Sequence, residues 1–338
     1  MAPARSGADL SASREEIEGA DAPAGTKMNE HDFISALRAL PLHEGARGLE
    51  DDCAVLEFGS ETLIITHDAM AEGKHWISGA DPFDVAWKLV ATNLSDLAAK
   101  GAEPIGVLLS YALGNDDARF LEGLNLVLTQ YNVPLLGGDT IASSGPQTLG
   151  LTAIGRATHM PVPARSGAKI GDALWLCGTI GDAKFGFREL SQDARTPDPY
   201  FTDKFLRPAP LLAEGQALVP HVSAMMDVSD GLLLDAARMA KASGVTIDID
   251  FDAVPFSPAF MELAIDGNQL DVASNGYPAR RAAMSWGDDY ALLFTAPRDA
   301  RLPVGASPIG TVLAQSTAPL LLDGQALTDM DDLGYQHG

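Results

Sequence analysis

The chain has 338 residues, 46% of them hydrophobic, with 46 acidic against 23 basic side chains and a formal net charge of −23. That length exceeds one ordinary core, so two domains are expected. So negative a surface excludes nucleic acid and anionic membrane as partners, which demand basic patches, but it admits anionic small molecules when metal ions mediate the contact.

Residues 1–27 are Ala, Gly, Ser, Pro and charge without the apolar stretch of a secretory signal, and they read as a disordered extension. No apolar run approaches the roughly 18 residues of a membrane span. Cys53 and Cys177 sit far apart in apolar runs, which argues against a disulfide framework and fits a cytoplasmic protein.

Asn29–Leu40 predicts a short amphipathic helix closed by Pro41. Gly48–Leu56 reads as a turn entering a strand, Thr62–Thr66 as a strand ending at His67-Asp68, and 69–76 as a loop. Asp81-Pro82 opens a helix over 82–100, with Asp as cap and Pro at the first turn. Val90, Leu94, Leu97 and Ala98 form its apolar face, and Asn93, Asp96 and Lys100 a polar stripe beside it. Gly101 ends it as a left-handed cap. Asp96, so close to a core face, is either a solvated rim carboxylate or a functional group.

A strand over Pro104–Ala112 and a helix over 116–130 follow. Val133–Leu136 is a short strand leading into Gly137-Gly138-Asp139-Thr140, and Thr148–Arg156 is another strand. His159–Ala164, with two prolines, is the linker candidate. Ala173–Cys177 predicts a strand, and 178–186 a strand-to-helix turn whose spacing does not fit a dinucleotide fingerprint. Ala224–Met226 predicts a strand, and 232–242 a helix stopped by Gly244. Val245–Phe251 and Ala291–Thr295 read as further strands. Because several strands follow directly on one another, an α+β fold is expected rather than a pure parallel sheet.

Asp51/Asp52, Asp68, Asp139, Asp227/Asp230 and Asp288/Asp289 stand at expected loop or strand ends, with Asp96 on its helix. Clustered carboxylates raise one another's pKa unless cations neutralise them. All-oxygen donors suit Mg²⁺, Mn²⁺ or Ca²⁺, and the chain has neither zinc-ligand spacing nor a calcium loop. It also lacks a Walker loop and a protein-kinase catalytic loop. Phosphates are therefore expected at metals, at the backbone of Gly137-Gly138, and at the helix start near Ser229-Asp230-Gly231. These residues by themselves indicate a Mg²⁺-dependent enzyme acting on phosphorylated small molecules.

Taken in order, Asp51–Val55, Thr66–Asp68 with Glu72–Trp76, Asn93–Ala98, Gly137–Thr140, Arg165–Ala168, Asp227–Gly231 and Gly287–Tyr290 resemble thiamine-monophosphate kinase across roughly residues 29–338. The wider superfamily includes aminoimidazole ribonucleotide synthetase, selenophosphate synthetase and a hydrogenase maturation factor. The resemblance implies a two-domain α+β fold. Residues 28–158 would form an N-terminal ATP- and Mg²⁺-binding domain that pairs its sheet with a second copy in a barrel-like homodimer, and residues 165–338 a C-terminal α+β domain. It implies transfer of the γ-phosphoryl of ATP to thiamine monophosphate.

By matching position, Asp52, Thr66, His67 (through its backbone carbonyl), Asp68, Asp96, Asp139, Asp227 and Asp230 would hold several Mg²⁺ ions, with Asp96 and Asp68 nearest the chemistry. Gly138, Asp139, Arg165 and Ser229 would contact the nucleotide, and His75, Asp288 and Tyr335 thiamine monophosphate. The chain departs from the family pattern at Glu50 (usually Gly), His67 (usually a hydroxyl residue), Asp288 (usually Glu) and Ala291 (usually an acid). Cys53 follows acids in a strand and the chain ends without a cysteine, unlike the selenophosphate and hydrogenase-factor enzymes. A cyclo-ligase and a non-catalytic metal- or nucleotide-binding protein are the alternatives.

Overall fold

A computed structural model describes residues 30–38, 40–191, 197–266, 276–329 and 332–336. The expected extension lies outside the described residues. Helix α1 (Glu30–Leu37) and a 3-10 segment at Glu44–Leu49 lead to strand β1 (Ala54–Phe58). A two-residue turn at Gly59-Ser60 returns the chain into β2 (Glu61–Ala71), a length that suits a tight hairpin.

Strand β2 does not stop at His67-Asp68. It is bonded on one side to β1 and on the other to β5 from Leu63↔Arg156 to Ala71↔Thr148. Two polar residues in succession look like a strand end in sequence, but the ladder with β5 runs through them, and past the end of β1 the Asp68 N–H is satisfied by Asn93 Oδ1. Helix α2 (Pro82–Ala99), strand β3 (Ala102–Ala112), helix α3 (Asp117–Gln130), strand β4 (Leu135–Ile141) and strand β5 (Thr148–Ala157) complete this half, whose sheet order is β1-β2-β5-β3-β4. Strand β4 absorbs Gly137–Thr140 instead of releasing them into a loop, because they continue the parallel ladder with β3. Gly138 lies so close to β3 that a Cβ would sit 1.9 Å from the Leu109 carbonyl oxygen, at φ 154°, so only glycine fits.

The second half carries strands β6 (Ala173–Cys177), β7 (Ala224–Asp227), β8 (Thr246–Ile249), β9 (Leu292–Ala296), β10 (Ser307–Leu313), β11 (Leu320–Leu322) and β12 (Gln325–Leu327). They form one mixed sheet in the order β12-β11-β8-β10-β6-β9-β7. Its helices are α4 (Asp182–Ser191), α5 (Pro199–Leu206), α6 (Leu212–Leu218), α7 (Leu232–Ser243), α8 (Pro258–Asp266) and α9 (Tyr277–Met284). The two sheets with their helices make the expected α+β fold. Between them, Val162 of the 159–164 segment is buried, and Arg47 donates to the Val162 and Pro163 carbonyls at 3.0 and 3.1 Å.

Helix α2 positions the site. Asp81 caps it by accepting the Phe83 N–H, and Gly101 follows its end at φ 58°. Leu89, Val90, Leu94 and Leu97 are fully buried, each stabilising the fold by about 1.5–3 kcal/mol relative to exposure. The helix is not amphipathic in place, however. One side packs on β2 and β5, and other faces meet α6 and β7. A shared cluster of Ala98, Ala99, Met225, Leu292 and Phe294 joins its end to the second sheet. Asn93 and Lys100, expected on a polar stripe, are therefore buried.

Candidate active site

Strand β2 and helix α2 bring the first acids together. Alternation along the strand sends Thr66 and Asp68 to the face opposite His67. Thr66 Oγ1 donates to Asp96 Oδ2. Asn93 Oδ1 accepts the Asp68 N–H at 3.0 Å, and Asn93 Nδ2 donates to the Leu89 carbonyl at 2.9 Å. Asp227 arrives at the end of β7, where Ser95 Oγ donates to its Oδ2 at 2.7 Å. The carboxylate oxygens of Asp52, Asp96 and Asp227 then lie within 4.8 Å of one another.

The electrostatics of this trio are uneven. Burial raises Asp96 well above the ordinary carboxylate range, and Asp68, Asp227 and Asp52 push it further. Burial likewise raises Asp227, with Asp52 as the next cause. Burial pushes Asp68 up to about 6, with Asp230 and Asp52 adding and His67 opposing. At Asp52 burial acts in the same direction, but Arg165 and Lys100 outweigh it and hold the carboxyl at about 2. One member is firmly charged, and its neighbours resist ionising beside it. A bound cation would relieve that resistance, and three converging carboxylates are hard oxygen donors of the kind Mg²⁺ takes.

Lys100 is the buried counter-charge that sequence left on a polar stripe. Its Nζ stands 2.6 Å from both Asp51 Oδ1 and Asp52 Oδ2, and 3.1 Å from the Met225 carbonyl. Arg165 pairs with Asp52 Oδ1, and its backbone N–H donates to Asp51 at 3.1 Å. Arg238 pairs with Asp230 and reaches Asp235 at 3.1 Å. Burial, then Asp230, pushes Asp235 up to about 7.

Four of these acids, Asp68, Asp96, Asp227 and Asp230, form the acid end of a cavity of about 790 Å³. Asp68, Asp96, Asp227, Ser229 and Asp230 line that end, and His75, Trp286, Asp288 and Tyr335 also line the cavity. His75 Nδ1 accepts the Ala71 N–H at 3.0 Å. The neutral ring therefore carries its proton on Nε2. Asp288 Oδ2 is 2.9 Å from Lys88 Nζ, and Asp288 Oδ1 accepts from the Tyr290 hydroxyl at 2.9 Å. Gly287 before it passes so close to Ser229 that a Cβ would meet the Ser229 carbonyl oxygen at 2.4 Å, at φ 99°. Tyr335 N donates to the Asp230 carbonyl at 2.9 Å, pinning the C-terminal segment beside the start of α7.

Asp52, Thr66, Asp68, Asp96, Asp227, Ser229, Asp230 and Arg165 thus gather at the acid end through these contacts, with His75, Asp288 and Tyr335 around the same cavity. Gly138 and Asp139 do not join them within one chain, and of His67 only the backbone, between Thr66 and Asp68 on β2, lies beside them. The His67 side chain turns away and pairs with Thr152 Oγ1 at 2.9 Å. Gly138 and Asp139 are exposed on edge strand β4, three strand spacings from β2, or about 14 Å. Lys88, Ser95, Lys100 and Asp235 were missed as functional neighbours. For Lys88 a signal existed: Lys88, Thr92 and Asp96 follow at i, i+4 and i+8, one stripe of a helix.

The family models for AIR synthase related proteins match this chain, the N-terminal domain at residues 50–157 and the C-terminal domain at 169–316. Thiamine-monophosphate kinase of Salmonella typhimurium is 35% identical over 302 residues, covering 85% of this chain and 86% of that protein. The Caulobacter vibrioides thiamine-monophosphate kinase is 37% identical, covering 82% and 79%. A solved structure of AaThiL complexed with AMPPCP and TMP superposes with a TM-score of 0.79 at 26% identity, over 93% of this chain and 100% of that one. Identity of this extent over more than four fifths of the chain places it in the thiamine-monophosphate kinase family.

Proposed function

We propose that the protein transfers the γ-phosphoryl group of ATP to thiamine monophosphate, yielding thiamine diphosphate and ADP. The observation that carries this reading is the convergence of Asp52, Asp96 and Asp227, the last two lining a cavity of about 790 Å³ that also holds aromatic side chains, in a chain whose relatives are thiamine-monophosphate kinases. The related structure with AMPPCP and TMP supports ATP as phosphoryl donor and thiamine monophosphate as acceptor.

The chemistry asks little of a general base. A phosphate monoester with a second pKa near 6 already presents an oxyanion at neutral pH. The obstacle is the mutual repulsion of two polyanions. Mg²⁺ held by Asp52, Asp96 and Asp227, with Asp68, Asp230, Thr66 and the His67 carbonyl around them, would offset that charge. Asp96 and Asp68 are the residues assigned to align donor and acceptor. Arg165, already paired with Asp52, and Ser229, at the start of α7, are assigned to the nucleotide with Gly138 and Asp139. His75, donating from Nε2, is assigned to thiamine monophosphate with Asp288 and Tyr335.

A homodimer built through the first sheet belongs to the same reading. Edge strand β4 is exposed along its length, with Leu135, Leu136 and Ile141 about half exposed, and an unpaired apolar edge invites a partner. Residues 28–158 and 165–338 are assigned to two domains, and the protein to the cytoplasm. Among the described residues no helix is long and apolar enough to cross a membrane.

The test is incubation with Mg²⁺, ATP and thiamine monophosphate, following ADP and thiamine diphosphate by chromatography. Stoichiometric appearance of both is expected. ADP without thiamine diphosphate would replace this reading with another ATP-dependent reaction, and absence of both would point to a binding protein.

A further inference from the structure

We propose that Lys88 is a positioning residue for the acceptor: by holding Asp288 across the two halves of the molecule, it sets the end of the cavity that takes the cationic ring system of thiamine monophosphate. The proposal rests on that acceptor assignment and adds a residue to it.

Lys88 is buried, on the first-half helix α2, yet its Nζ reaches Asp288 Oδ2 of the second half at 2.9 Å. The ammonium also stands 3.8 Å over the Phe205 ring. A buried ammonium needs such partners, since an unpaired one is costly. The cavity stripe of α2 runs Lys88, Thr92, Asp96. Eight residues at the helical rise place Lys88 about 12 Å from Asp96 along the axis. Lys88 therefore stands about two helical turns from Asp96 along the stripe, paired with Asp288 rather than with the acids of the cluster.

That end of the cavity is suited to a flat cation. Phe187 and Trp286 line it with ring centroids 5.0 Å apart, and Asp288 supplies the carboxylate. Aromatic faces attract cationic rings, and Asp288, its charge compensated by Lys88, offers the ring system an oriented oxygen acceptor. That orientation is visible in the backbone. Asp288 and Tyr290 hold φ 59° and 51°, rarely adopted by non-glycine residues, and are tied by Asp288 N to the Ser229 carbonyl and Tyr290 N to the Val228 carbonyl, both at 2.8 Å. Both Asp288 oxygens are engaged, one by Tyr290 and one by Lys88. Only Lys88 comes from the other half, so it decides how the short Asp side chain faces the cavity.

Steady-state kinetics on the full chain test this. Lys88→Met keeps the aliphatic stem against Phe205 and removes the charge. Its KM for thiamine monophosphate is expected to rise at least about tenfold, with kcat within about threefold and KM for ATP within about twofold. Lys88→Arg is expected to recover the thiamine monophosphate KM to within about threefold, because a guanidinium reaches the same carboxylate. The double variant with Asp288→Asn is expected to be no worse than the poorer single variant. An unchanged or lowered KM for thiamine monophosphate in Lys88→Met, a parallel rise in KM for ATP, or Lys88→Arg behaving as Lys88→Met overturns the proposal. If Lys88→Met does not fold, Lys88→Gln, which removes the charge but keeps a polar head, replaces it with the same expected and overturning outcomes. Wild-type enzyme that makes no thiamine diphosphate overturns the acceptor assignment and this proposal together, whereas normal wild-type turnover with an insensitive Lys88→Met overturns only the role of Lys88.

Discussion

Ser95 on helix α2 donates a 2.7 Å hydrogen bond to Asp227 at the end of β7, joining the two halves of the chain at the acid cluster. Both residues are buried. Ser95→Ala leaves that carboxylate short of a donor where water cannot replace it. The variant is expected to lose about 1–3 kcal/mol of stability. Urea denaturation of the metal-free protein measures it, and a midpoint equal to wild type would mean the bond contributes nothing net.

Asp96→Asn is expected to lower kcat by at least about a hundredfold, roughly 2.7 kcal/mol on the barrier, while leaving the circular dichroism spectrum unchanged. Asn keeps the size and one carbonyl oxygen but removes the charge that would attract Mg²⁺. Because Asp68, Asp227 and Asp52 all disfavour ionised Asp96, the metal-free variant should melt no lower than wild type. Turnover within about threefold of wild type, under roughly 0.7 kcal/mol, would remove Asp96 from the catalytic set.

The acid cluster also sets a pH dependence. Burial places Asp68 at about 6 and Asp235 at about 7, above the ordinary 3.8. Between about pH 4 and 7 the unfolded chain releases protons that these native carboxyls still hold, so stability falls as pH rises. Asp52, held at about 2, acts in the opposite sense: its contribution is present above 3.8 and is lost as pH falls toward 2. The melting temperature of metal-free protein is therefore expected to decline from pH 5 to pH 8, by about 1.4 kcal/mol in stability from Asp68 alone, the rest of its effect falling below pH 5. Millimolar Mg²⁺ should restore the loss at pH 8. Calorimetry across that range with and without Mg²⁺ checks both arms, and a flat metal-free profile would contradict them.

Leu135 is 50% exposed and Ile141 53% exposed on edge strand β4. If that edge forms the homodimer, Leu135→Asp puts a charge into the interface and should shift the protein toward monomer at micromolar concentration. Light scattering is the readout. Wild type running only as monomer would dismiss the dimer, and a variant that stays dimeric would move the interface elsewhere.

Much of the chain was legible because the signals were local. The cap at Asp81-Pro82 and the apolar spacing of Val90, Leu94 and Leu97 gave α2 almost to its ends. The apolar runs gave β3, β5, β6 and β9 within a residue or two. Aspartates stood out along the chain, and the structure gathers Asp52, Asp68, Asp96, Asp227 and Asp230, of which only Asp230 adjoins a glycine. Strand β2 and strand β4 were read too short, since His67-Asp68 and Gly137-Gly138 look like breaks until partner strands on the sheet are counted.

The sequence by itself determined the α+β class, the family motifs and the excess of acid that calls for cations. Only the tertiary structure decided which acids converge and what charge each carries. Asp52 is held low because Lys100 and Arg165 reach it from far along the chain. Asp96 is raised by burial and by the fields of Asp68, Asp227 and Asp52, and Asp227 by burial and the fields of Asp52, Asp235 and Asp68. Burial and Coulomb interactions depend on distance in space, and those distances arise when the second half packs over the polar side of α2. The same packing set Lys88 against Asp288, 200 residues away, a pairing no local pattern encodes.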